Sequence, residues 1–351
     1  MILALLLGAT IWGLGAYLRT PVQARLYMLG LLYVAILAIE FALPPGNPLR
    51  DALGPGPGEW LVAGAIVLVV ALYRVVLLRV RGRAREVEDA REAEAGSKPE
   101  GPFSEVELER YARHIVLREV GGPGQRRLKE ARVLVVGAGG LGSPVLLYLG
   151  AAGVGTIGVI DDDVVSLSNL QRQVVHTDAR SGVPKVFSAE AAIRAINPHV
   201  AVRPYNRRLT EEIAETLLAD YDLVVDGSDS FETRALANRA AVATGRPLLA
   251  GAISQWEGQV TLYDPAGGAP CMSCVFPEAP VVGLASSCAE AGVVGALPGV
   301  VGSVMALEAI KEITGAGTGL RGTLLLWDGL DAESRRVAIR RRADCPVCGQ
   351  V

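Results

Sequence analysis

Several broad classes are excluded by what this chain of 351 residues has little of. Five cysteines are too few for the disulfide framework of a secreted protein of this size. A formal net charge of −3 gives no electrostatic footprint for nucleic acid, so no nucleic-acid partner is expected. No internal repeat is visible. Aromatic residues supply only 5% of the chain while apolar ones supply 50%, so its hydrophobicity is aliphatic, and it is unevenly placed.

The unevenness begins at the N-terminus. Met1–Leu18, Leu26–Leu43 and Trp60–Leu78 are nearly free of charge. Each approaches the roughly 20 residues that carry a helix across about 30 Å of hydrocarbon. Glu40 and Arg74 fall near segment ends, where long side chains reach the interface. No basic residue precedes the first segment and no small-residue cleavage pattern follows it, so it reads as a retained anchor. Three transmembrane helices are therefore expected within residues 1–85. Arg19 and Arg25 flank one loop, Arg50 alone lies in the next, and Arg79, Arg81, Arg83 and Arg85 follow the third segment. The basic side is cytoplasmic. The expected location is the inner membrane, with the N-terminus outside and everything after Arg85 in the cytosol. Residues 86–102 are charged, end in "GSKPEGP" and read as a linker.

From residue 103 the pattern changes. Ser104 and Glu107 form a capping box before "LERYARHIVLREV", which places Arg113 and His114 on a helix. Strands are predicted at 132–136, 156–160, 200–204, 223–225, 247–250 and 259–263. Helices are predicted at 141–152, 185–196, 211–218, 231–244 and 300–313. The alternation implies an α/β fold of Rossmann type, a mostly parallel sheet with helices on both faces.

"VLVVGAGGLGS" ends the first of these strands, and Gly137, Gly139 and Gly142 satisfy G-x-G-x-x-G. Asp161 closes the next strand, where an acid accepts hydrogen bonds from ribose hydroxyls. These features imply a nucleotide without separating NAD from ATP. Asn169, Arg172, Gln173 and Lys185 follow in "SNLQRQVVHTDARSGVPK". A nicotinamide wants a flat apolar slot there, whereas fixed cations and amides suit a triphosphate. "VVDGSDS" then ends another strand with Asp226 and Asp229, well placed to hold Mg²⁺ against phosphate. The plainer reading of Asp229 is a cap for the helix beginning near Phe231.

Cys271-Met-Ser-Cys274 and Cys345-Pro-Val-Cys348 make two C-x-x-C pairs. Four thiolates with no open position describe a structural Zn²⁺ site. Cys288 is left over, and a plain buried cysteine is one reading of it.

The runs "RYARHIVL", "GAGGLGSPV", "DDDVVSLSNLQRQ", "GVPK", "INPH", "GSDS", "EGQVTLY", "CAEAGV" and "CPVCG" together resemble the MoeB/ThiF/HesA group. These are relatives of the ubiquitin-activating enzymes that adenylate small sulphur-carrier proteins. The likeness covers about Phe103 to Val351 and is closest to the MoeB type; it does not extend to the apolar N-terminus. It implies ATP-dependent adenylation of a carrier's C-terminal glycine with release of pyrophosphate, in molybdopterin or thiamine biosynthesis. It implies Gly140 against the phosphates, Asp161 on the ribose, Ser168, Asn169 and Arg172 at the triphosphate, Lys185 on the phosphates being displaced, and Asp229 on Mg²⁺. Arg113 would reach the neighbouring subunit's site, making a homodimer. Ser230 stands where relatives often carry Asn. Cys288 matches the position of a thiol that ThiF-like relatives bond to the carrier. A separate sulphur donor, such as a cysteine desulphurase or rhodanese, is expected. An NAD-dependent oxidoreductase, a membrane scaffold with a degenerate site, and adenylation of a peptide or tRNA are the competing readings. The three histidines, His114, His176 and His199, read as structural, since a carboxylate nucleophile needs no base.

Overall fold

The computed structural model describes residues 2–18, 20–54, 56–66, 68–70, 72–74, 77, 79, 101–278 and 292–350, which form two compact units, Met1–Lys98 and Pro99–Val351. Most of the expected linker and of the arginine run 79–85, together with Cys288, lie outside the described residues.

In the first unit, α1 (Ile2–Tyr17), α2 (Val22–Ala42) and the short α3 (Pro48–Leu53) pack around a small core of Ala4, Ile36 and Leu53. Asn47 caps α3 by accepting the Leu49 N–H at 3.0 Å. Arg50 folds back onto the buried Glu40 carboxylate at 3.1 Å, and Tyr33 donates to the Trp60 carbonyl at 2.7 Å. Leu6, Leu14, Leu31, Val34 and Phe41 all face outward.

Among the described residues two stretches, Val22–Ala42 and Pro48–Arg74, are long and apolar enough to cross a membrane, by length and composition. The 16 residues of α1 span about 24 Å.

The second unit is built on an eight-stranded sheet of order β3-β2-β1-β4-β5-β6-β7-β8. Its strands are β1 (Arg132–Val136), β2 (Thr156–Ile160), β3 (Ala201–Tyr205), β4 (Leu223–Asp226), β5 (Leu248–Ile253), β6 (Glu257–Tyr263), β7 (Thr323–Asp328) and β8 (Glu333–Ala338). The first five run parallel, and β6, β7 and β8 add on antiparallel. The helices are α4 (Glu105–Ile115), α5 (Gly121–Glu130), α6 (Gly142–Ala152), α7 (Lys185–Ile196), α8 (Glu211–Ala219), α9 (Phe231–Thr244), α10 (Met272–Val275) and α11 (Ala296–Thr314).

Why β1 is a buried central strand is legible in "VLVV", apolar on both faces. Val133 and Val135 pack with Val145, Leu146 and Leu149 of α6 and Met305 of α11. Leu134 and Val136 pack on the other side with Leu218 of α8 and Ala237 and Ala241 of α9. Register then fixes the site. Val136 pairs with Ile160 on one side and Asp226 on the other, so β1, β2 and β4 end level and their following loops share one edge.

In this unit α5, α10, β7 and β8 were not anticipated. In α5 proline is tolerated in the first helical turn, and Leu128 anchors the helix with its side chain fully buried. β8 is exposed along its length and shows no apolar alternation to betray it. The register of β7 is set by β6 and β8 on either side.

Candidate functional site

The loop after β1 turns at Gly137, whose φ of 91° is left-handed backbone that suits glycine. A β-carbon on Gly142 would run into the Gly137 carbonyl, so the loop closes tightly onto the start of α6. Gly139 and Gly140 lie between these two, at the carboxyl edge of the sheet.

The Ala138 peptide is clamped from both sides. Its N–H donates to Asp161 Oδ2 at 2.8 Å, and its carbonyl accepts from His176 Nε2 at 2.9 Å. A carbonyl only accepts, so the His176 proton sits on Nε2 and Nδ1 accepts from the Ser188 hydroxyl at 2.9 Å. Burial pulls the His176 pKa below the ordinary imidazole value, and the Lys185 and Arg180 cations add to this. This histidine is a neutral strut under the glycine loop.

The segment after β2 brings up the cations. Asn169 Oδ1 accepts from Arg172 at 2.9 Å, and the Ser168 carbonyl lies 3.4 Å from the same guanidinium. A β-carbon on Gly140 would come within 3.6 Å of the Arg172 stem, so the arginine lies along the loop. Gln173 is buried beside Gly139 with its Oε1 unpartnered among the described residues. Lys185, at the first position of α7, is buried and bonded to Asp163 at 2.7 Å.

The turn after β4 lies against the same loop: a β-carbon on Gly137 would be 3.2 Å from the Gly227 carbonyl. Asp229 is exposed there and makes no hydrogen bond or ion pair among the described residues. It does not cap α9, which was the plainer alternative for it: Ser230 does so by accepting the Thr233 N–H at 3.0 Å. Asp226 is fully buried, and burial raises its pKa. The sheet edge thus collects Gly137, Gly139, Gly140, Gly142, Asp161, Ser168, Asn169, Arg172, Lys185, Asp229 and Ser230.

Arg113 is elsewhere. On α4, Tyr111 accepts from Asn197 at 2.8 Å and abuts Gly153, while His114 bonds Gln125, which in turn donates to the Ala152 carbonyl. Ala152–Gly153 and Asn197 precede β2 and β3, so Arg113 stands at the amino edge of the sheet, exposed and opposite the glycine loop.

The four paired cysteines converge and are buried. Their sulphurs lie 3.9 Å (Cys271–Cys274), 3.6 Å (Cys271–Cys345) and 3.4 Å (Cys274–Cys348) apart. Tetrahedral Zn²⁺ with bonds of about 2.3 Å wants about 3.8 Å between sulphurs, so the set fits the ion. Amides also aim at the sulphurs: the Arg342 N–H lies 3.4 Å from Cys274 Sγ. Burial pushes the Cys345 thiol up, but the amides of Cys348 and Val347 outweigh it and bring the pKa to about 7.

Asp163 is the member of the site that sequence reasoning passed over, while His176, read there as structural, proves to brace the glycine loop. Asp163 stood in view within "DDD", where its position opposite Lys185 depends on the fold.

Residues 111–347 match the ThiF family. A sulfur carrier protein adenylyltransferase of Thermus thermophilus is 53% identical over 253 residues, covering 70% of this chain and 93% of that protein. A SAMP-activating enzyme E1 of Haloferax volcanii is 50% identical, covering 70% and 90%. Among solved structures, E. coli MccB superposes with a TM-score of 0.61 at 21% identity, over 69% of this chain and 72% of that one. That likeness is one of fold.

Proposed function

This chain belongs to the ThiF family, and from that premise we propose that it adenylates the C-terminal glycine of a ubiquitin-like sulphur-carrier protein, with ATP as co-substrate. The observation that carries the reading is the convergence of the glycine loop, Asp161, Arg172 and Lys185 on one sheet edge. An adenosine ribose takes the Asp161 carboxylate, which releases the Ala138 N–H to a phosphate oxygen. Arg172 and Lys185 offset the charge that gathers as the carrier's carboxylate attacks the α-phosphorus and the bond to the pyrophosphate oxygen breaks. The attacking oxygen is already anionic, so no base is required, consistent with a neutral His176 held in structural bonds. Asp229, free of protein partners among the described residues, would hold Mg²⁺, whose charge neutralises phosphate oxygens. The carrier accepted decides between a molybdopterin and a thiamine pathway.

The reading extends to the assembly. Arg113 stands at the edge opposite its own nucleotide loop, so it serves the site of a second subunit in a homodimer. The outward apolar faces of α2 and of the stretch Pro48–Arg74 rest in a membrane, with the second unit in the cytosol. A separate protein delivers sulphur to the activated carrier. The test is ATP–pyrophosphate exchange with candidate carriers offered singly. Exchange that depends on one carrier and on its terminal glycine supports the reading; tight NAD binding without any exchange sinks it.

A further inference from the structure

Lys185 hangs from a single residue at both ends. Its backbone N–H donates to the Asp163 carbonyl at 2.9 Å, and its ammonium donates to Asp163 Oδ2 at 2.7 Å. A bridge between Val164 and Pro184, with the Val165 N–H on the Val183 carbonyl at 2.9 Å, laces the two segments together. Exposure is unequal: 5% of the Lys185 side chain meets solvent against 68% of Asp163.

Two features of the site make an unpaired ammonium costly to hold in place there. Burial strips water from the ammonium, and the N-terminal end of α7 carries partial positive charge of its own. Asp163 is the one group that bonds the ammonium among the described residues. Because its carboxylate stays hydrated, the pair avoids the cost of burying two ions. Asp161 and Asp162 place carboxylate oxygens within 4.8 Å of those of Asp163, and His176 and Arg180 face the same loop. None of these four bonds the ammonium.

The geometry points to Asp163 as the residue that holds Lys185 aimed at the nucleotide edge, a positioning residue that acts through the lysine. This rests on the proposed contact of Lys185 with phosphate. With asparagine at 163 the ammonium loses the one anion that bonds it among the described residues, and the side chain is no longer held in place.

ATP affinity of the full chain in detergent, measured with no carrier present, tests this directly. Asp163→Asn should weaken binding about tenfold, as loss of one charge-assisted hydrogen bond does, and Asp163→Glu should restore most of it. Lys185→Ala should be weak, and adding Asp163→Asn to Lys185→Ala should cost nothing further, because the aspartate acts through the lysine. Normal binding by Asp163→Asn, no rescue by Asp163→Glu, or a further loss in the double variant overturns the inference. Normal binding by Lys185→Ala overturns it through its premise. Failure of every carrier to support exchange bears instead on the proposed reaction and leaves the binding result standing.

Discussion

At the residue scale, the Ala138 peptide is held from two sides, by the Asp161 carboxylate at its N–H and by the His176 imidazole at its carbonyl. His176 has its pKa lowered in the folded protein, so the unfolded chain takes up a proton more readily as pH falls below about 6.5. Stability contributed by the neutral ring is therefore full above that pH. It declines on the acid side until the folded-state value is passed, and then levels off. His176→Gln can still donate to the Ala138 carbonyl but cannot titrate. Its melting temperature should fall less between pH 6.5 and 5 than that of the unaltered protein, as thermal melts in matched buffers would reveal. Parallel slopes for the two proteins would refute the role. The placement of Asp161 and Arg172 at the sheet edge was legible in the sequence, because one closes a strand and the other follows the glycine turn. That His176 is structural was legible too, but not what it braces, since its partners Ala138 and Ser188 lie 38 and 12 residues away and only the fold unites them.

At the element scale, the cysteine site ties the loop after β6 to the segment after β8, 74 residues on. Cys345→Ser should release zinc and lower the melting temperature, because an all-protein Cys₄ site contributes to folding directly. Metal analysis and calorimetry on the same sample check it, and a stoichiometric metal content in the variant would refute the assignment. Elements with a strong local signal were readable: β1, β2, α7 and α9 match expectation to the residue, each an apolar run or a periodic helix with punctuated ends. The elements that were missed lack local signals. β8, with residues Glu333–Ala338 all exposed, presents two arginines where apolar alternation would have marked a strand. Its arginines also suit an open edge, where charge discourages pairing with another chain.

At the scale of the whole molecule, the division at Lys98–Pro99 separates an apolar unit from one holding the nucleotide edge and the cysteines. The first contacts of the second unit lie beyond that point. Phe103 packs edge-on to Tyr111 at 6.2 Å, the Pro102 carbonyl accepts from Lys129 at 2.7 Å, and Ser104 completes its capping box with Glu107. A protein beginning at Gly101 should accordingly fold without detergent, bind zinc and exchange pyrophosphate at a rate close to that of the full chain. A shortened protein that folds and binds zinc but fails to exchange, while the full chain succeeds, would show that the apolar unit shapes the catalyst.

The placement of Arg113 opposite its own glycine loop has a consequence for mixtures. In the proposed dimer, an Arg113→Ala subunit has a sound pocket but nothing to lend, and an Asp229→Ala subunit has a spoiled pocket but an arginine to give. Each variant alone should be nearly inert. Co-expressed or exchanged, they complement each other. Random pairing makes half the dimers mixed, and each mixed dimer regains one working pocket of two, so about a quarter of the full activity returns. Two dead proteins would thereby report, by reviving, that the catalyst is shared.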